Sequence, residues 1–250
     1  MRKYTSIFTV AALAAFSFNG LGQGMWFPED AAAQYDKMKT MGMKMSWSDI
    51  YSEGGSGSLN DAVVHFGGFC TGEVISNQGL VLTNHHCGFD AIQTHSSLEN
   101  NYLKDGFWAE TFANEKPNPG LYVDFIIKME NVSWEVFPLI AQGKSEREAI
   151  AEVLETKMAA YPSKEGYIGH IDPTYAGNDY ELTIARRYSD VRLVGAPPSA
   201  VGKYGADTDN WVFPRHTGDF SLFRIYTAPD GSPAEYSANN VPMQVKNPLV

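Results

Sequence analysis

Two cysteines constrain this chain more than any other feature. Cys70 and Cys87 are the only two in 250 residues. Between them lies the turn sequence Ser76-Asn77-Gln78-Gly79. Ala62–Cys70 and Thr71–Ile75 read as extended before it, and Leu80–Thr83 as the return strand after it. The midpoint of the two cysteines falls inside that turn. Positions equidistant from a hairpin turn face each other across the strands, at a separation a disulfide can span. The spacing therefore predicts a Cys70–Cys87 bridge in an oxidising compartment. The bridge would pin His86 at the end of a strand.

The start of the chain points to such a compartment. Arg2 and Lys3 form a basic head, Ile7–Phe18 is mostly apolar, and Gly20, Gly22 and Gly24 supply small residues. That order is a secretory signal over 1–24, with the mature chain beginning near Gly24 or Met25. The apolar run is short for a membrane span, so the expectation is an exported protein of the periplasm or cell surface, without stable membrane insertion. A membrane anchor or a buried N-terminal helix is the competing reading. Hydrophobic residues at 44% and charged residues at 19% fit a globular core. A net charge of −10 argues against nucleic-acid binding.

The remaining pattern predicts a mainly β fold with helical additions, a β-barrel or sandwich. Leu121–Met129, Tyr180–Tyr188, Val191–Val194 and the alternating Phe220–Thr227 read as strands. Pro28–Met41 reads as a helix stopped by Gly42, and Ser145–Ala160 as an amphipathic helix opened by the capping box Ser145-Glu146-Arg147-Glu148. Gly54–Ser58 reads as a flexible loop.

His86 is the candidate general base, because an imidazole titrates near neutrality and can take and return a hydroxyl proton. Other readings compete. His86 could be structural, His85 could be the base, or His85 and His86 could bind zinc with the cysteines. A base needs a carboxylate to fix its tautomer, and Asp219, at the mouth of the Phe220–Thr227 strand, is the candidate. Asp207 and Asp209 are rivals in a polar loop, and an ordinary surface role is the plain alternative for Asp219.

Thr83-Asn84-His85-His86-Cys87 resembles the Thr-x-x-His-Cys pattern in the first barrel of trypsin-like serine peptidases. Longer blocks resemble the bacterial dipeptidyl-peptidase 7 and dipeptidyl-peptidase 11 family. They are Gly24-Met25-Trp26, Phe66–Glu73, Gly79–Gly88, Val191–Pro198, Asp207–Trp211 and Pro214–Ser221. The resemblance implies a trypsin/chymotrypsin-like barrel and a serine peptidase that removes dipeptides from oligopeptides with a free N-terminus. It implies His86 as general base, Asp219 as its orienting acid, and Asn210 and Trp211 as holders of the substrate ammonium. It implies no cofactor, and it allows a homodimeric full-length parent.

It also implies a longer protein, in which a helical cap domain and a serine in a Gly-Asn-Ser-Gly-Ser loop complete the site. The 25–250 region is then expected to be the N-terminal part of the peptidase domain, inactive alone. Ser56, in Gly54-Gly55-Ser56-Gly57-Ser58, is the one lookalike for that loop, and it precedes His86, against the family order. A noncatalytic exported peptide-binding protein or pseudoenzyme on the same half-fold is the alternative.

Overall fold

The structure is a computed structural model and describes residues 32–52, 57–209 and 212–245. The expected signal segment, Ser56, Asn210 and Trp211 lie outside the described residues. The chain divides into two units, Met1–Met43 and Lys44–Val250. In the first, a 3-10 turn at Ala32–Gln34 runs into a helix at Tyr35–Thr40, and Gly42 follows with φ +104°, a left-handed conformation suited to glycine. The start of the predicted Pro28–Met41 helix lies outside the described residues.

The second unit is built on eleven strands. They are β1 Val63–Phe66, β2 Cys70–Val74, β3 Leu80–Thr83, β4 Phe107–Trp108, β5 Lys116–Pro117, β6 Val123–Asn131, β7 Tyr167–Thr174, β8 Asp179–Tyr188, β9 Asp190–Ala196, β10 Ser221–Thr227 and β11 Val241–Pro242. The sheet order is β4-β9-β10-β3-β2-β1-β6-β8-β7, with β11 on β10 and β5 on β9. Every pairing is antiparallel. The expected class, mainly β with helical additions, is the one observed.

The sheet curls round one core. β8 ends at Tyr188 and β9 begins at Asp190, so a single residue joins strands that sit far apart in the sheet order. Val64, Phe66, Val74, Val81, Val123, Tyr188, Leu193, Phe223 and Ile225, drawn from seven strands, pack into one buried cluster. Burial of this kind contributes on the order of 25 cal/mol per Å² of apolar surface.

A second core lies against β7 and β8, where Ile171, Tyr180, Leu182 and Ile184 are buried apart from that cluster. The β6–β8 register shifts between Ile126 and Lys128, and such a bulge lets the sheet change direction. Two helices, α1 Ser133–Ala141 and α2 Glu146–Met158, cover this core. Val136, Ala149 and Val153 pack on Ile171, Leu182 and Ile184. The capping box predicted at Ser145 is present: its hydroxyl accepts from the Glu148 N–H, and the Glu148 carboxylate accepts from the Ser145 N–H.

Two local expectations change, and two further elements carry residues that hide them in the sequence. The run Ala62–Cys70 is not one strand. Gly67 and Gly68 turn it with φ +65° and +83°, and a Cβ on Gly68 would strike the Tyr122 hydroxyl. β10 does not alternate but is buried on both faces, because it runs between β9 and β3 in the middle of the sheet. Helix α1 and strand β7 carry internal prolines, Pro138 and Pro173, which obscure them in the sequence. β7 lies at the edge of the sheet, where a missing N–H is tolerated.

Candidate active site

Cys70 and Cys87 form a disulfide, with Cα atoms 6.1 Å apart. The geometry that brings them together differs from the expected one. Glu73 pairs with Leu82 and Val74 with Val81, so the β2–β3 register does not set Cys70 opposite Cys87. β3 stops at Thr83 and the chain winds into a helical turn, in which the Gly88 N–H donates to the carbonyls of Asn84 and His85. This turn returns Cys87 to Cys70. His86 therefore sits on a tight turn braced by the bridge, not on a strand. The disulfide consumes both sulfurs. That overturns the zinc reading, although Cys70, His86 and Cys87 place their ligand atoms within 4.8 Å of one another.

The turn also separates the two histidines. His85 is buried at 1% exposure, beneath Gly202 in the short helix α3 Ser199–Gly202. Burial pushes its pKa below the ordinary histidine value, against the pull of the Asp219 charge and a hydrogen bond to the Pro197 carbonyl. A neutral ring packed under backbone is a poor proton shuttle. The His86 side chain is 57% exposed.

His86 Nδ1 lies 2.8 Å from Asp219 Oδ2, and the His86 backbone N–H donates to Asp219 Oδ1 at 3.2 Å. A carboxylate only accepts, so Nδ1 carries the hydrogen and the neutral ring keeps its Nε2 lone pair. Asp219 enters two residues ahead of β10, whose ladder to β3 ends at the Ser221–Thr83 pair. Its carboxylate is 8% exposed. It also accepts from Asn84 Nδ2 at 3.2 Å, and the Arg215 guanidinium lies 3.5 Å from Oδ2. Sequence patterns did not single out Asn84 or Arg215; Asn84 meets Asp219 because β3 and β10 pair, whereas Arg215 stands four residues before it.

A cavity of about 240 Å³ opens beside this pair, lined by Phe69, His85, His86, Cys87, Asp90 and Lys203. A neighbouring cavity of about 220 Å³ shares Phe69, Cys87 and Asp90 with it and continues to His95 and Asn118. Among the described residues no serine hydroxyl is hydrogen-bonded to His86. Asn210 and Trp211 follow the short helix Ala206–Asp209, outside the described residues.

The site is a carboxylate-held histidine beside a disulfide, on a curled β framework. The peptidase S46 family model matches residues 22–249, and the chain belongs to that family. An Asp/Glu-specific dipeptidyl-peptidase of Capnocytophaga gingivalis is 47% identical over 243 residues, covering 94% of this chain and 33% of its own length. A dipeptidyl-peptidase 7 of Phocaeicola vulgatus is 43% identical, covering 100% of this chain and 36% of its own length. The crystal structure of Porphyromonas endodontalis DPP11 in complex with substrate superposes with a TM-score of 0.83 at 46% identity, over 91% of this chain and 34% of that one. This chain spans about a third of the length of the curated relatives it matches.

Proposed function

We propose that this chain supplies the base and orienting carboxylate of an exported serine dipeptidyl-peptidase. The carrying observation is the 2.8 Å His86–Asp219 contact with the imidazole exposed on its other side. In this reading a serine outside the described residues attacks the scissile carbonyl while His86 Nε2 takes its proton. Asp219 holds the ring and stabilises the imidazolium. His86 then returns the proton to the leaving amine. An acyl-enzyme remains, and water activated by the same imidazole hydrolyses it.

Asn210 and Trp211 would hold the substrate ammonium. An amide oxygen accepts from it, and an indole face attracts it. Fixing that ammonium at one distance from the nucleophile sets the cut after two residues. The names of the relatives support a dipeptidyl-peptidase. The basic, apolar, small-residue start and the disulfide support export.

Two assays test this. The full-length protein should release dipeptide–fluorophore from substrates with a free N-terminus and spare the N-acetylated forms. The isolated 250-residue chain should turn over neither. Equal cleavage of blocked and free substrates would overturn the dipeptidyl register. A full-length protein that binds peptides without cleaving them would favour the noncatalytic reading.

A further inference from the structure

The β3–β10 ladder ends at Thr83–Ser221, and the candidate base and acid both lie beyond that end. Something other than main-chain pairing must hold them in register. Asn84 is the first residue past the ladder on one side. Its Nδ2 lies 3.2 Å from Asp219 Oδ2 and 3.3 Å from the Asp219 carbonyl oxygen. Both partners are acceptors, so the amide must present its NH₂ group to them. The main chain of Asn84 is tied as well: its carbonyl accepts from the Ser221 hydroxyl at 2.8 Å. Ser221 is wholly buried. Asn84 thus spans residues 219 to 221 with both its side chain and its backbone.

We infer that Asn84 is a positioning residue, which locks the Asp219 carboxylate in the orientation that receives His86 Nδ1; this rests on the function proposed above. Oδ2 is contested. His86 lies at 2.8 Å, Asn84 at 3.2 Å and Arg215 at 3.5 Å. Arg215 reaches in on a long side chain, whereas Asn84, also exposed, has a short side chain one residue beyond the last rung of the ladder. A short side chain on fixed backbone holds geometry at less conformational cost than a long flexible one. Asn84 therefore sets the rotation of the carboxylate. Its hydrogen bonds run to Asp219 and Ser221 and not to the imidazole, so it acts through Asp219.

Asn84→Asp is the sharpest test, because it keeps shape and exchanges a donor for an acceptor. Two carboxylates at hydrogen-bond distance cannot both stay ionised, so the introduced group repels the Asp219 carboxylate or the pair takes up one proton from solvent. In the full-length protein the change should lower kcat by about a hundredfold with KM within about twofold, and Asn84→Ala should lower kcat by about tenfold.

The second readout needs no turnover. The His86 Nδ1–H proton resonance of the 250-residue chain, assigned by its loss in His86→Ala, should shift or vanish in both Asn84 variants. Unchanged kcat together with an unmoved resonance would overturn the inference, as would a loss confined to KM. If Asn84→Asp does not fold, Asn84→Ala decides by the same two measurements. If the full-length protein cleaves no substrate, the functional reading fails, and the resonance still decides the role of Asn84.

Discussion

His86 and Asp219 lie 133 residues apart in sequence and 2.8 Å apart in space. Two covalent and topological facts bring them together. The Cys70–Cys87 bridge braces the turn that carries His86. The β3–β10 pairing delivers Asp219 to the end of that turn. The carboxylate then takes hydrogen bonds from both the ring and the backbone of the same residue, which fixes the direction of the imidazole as well as its distance.

The bridge should contribute measurable stability. It closes a loop with a sequence separation of 17, and a loop of that size corresponds to about 3 kcal/mol of lost unfolded-state entropy. Urea unfolding of the double variant Cys70→Ser/Cys87→Ser should show a loss of this order. A change below about 0.5 kcal/mol would remove the bridge from the account of how His86 is held.

Gly202→Ala should destabilise, contrary to the ordinary rule for helices. Alanine in place of glycine usually favours a helix by roughly 0.5–1 kcal/mol. Here the added Cβ would lie 2.8 Å from Nε2 of the buried His85 and closer still to its ring carbons. Overpacking of this kind costs about 1–3 kcal/mol. Thermal unfolding checks the sign: a raised Tm would show that the ring has room to move.

His85 also predicts a pH dependence. Its folded pKa is depressed by burial, so the unfolded chain binds the proton first as pH falls. The stability that neutral His85 contributes is present above its unfolded pKa, about 6.5, and is lost as pH drops through that value toward the folded one. Unfolding free energies measured from pH 8 down to 5 should fall more steeply for the parent than for His85→Gln. Identical slopes would mean that the ring is not desolvated.

Much of this was legible in the sequence because it is local. The turn at Ser76–Gly79, the strand Leu80–Thr83 and the capping box at Ser145 are written in adjacent residues, and the structure has each of them. Cys70–Cys87 was legible as a pair, but the route between them was not. Equidistance from a turn assumes that both strands continue, and β3 stops at Thr83 to wind into a helical turn. The split at Gly67–Gly68 was missed because the apolar pattern runs on through it. Asn84 and Arg215 carry no motif of their own. Asn84 takes its meaning from Asp219, which only the sheet order brings near, and Arg215 lies four residues before Asp219 in a stretch with no pattern that marks it as a partner.

In the proposed function His86 and Asp219 act as one unit on a peptide bond. The most direct measurement is kcat/KM for a free-N-terminus dipeptide–fluorophore substrate in the full-length protein and in its His86→Ala and Asp219→Ala variants. Each variant should lose about 10⁴-fold or more, with folding intact by circular dichroism. Turnover within tenfold of the parent in either variant would contradict it.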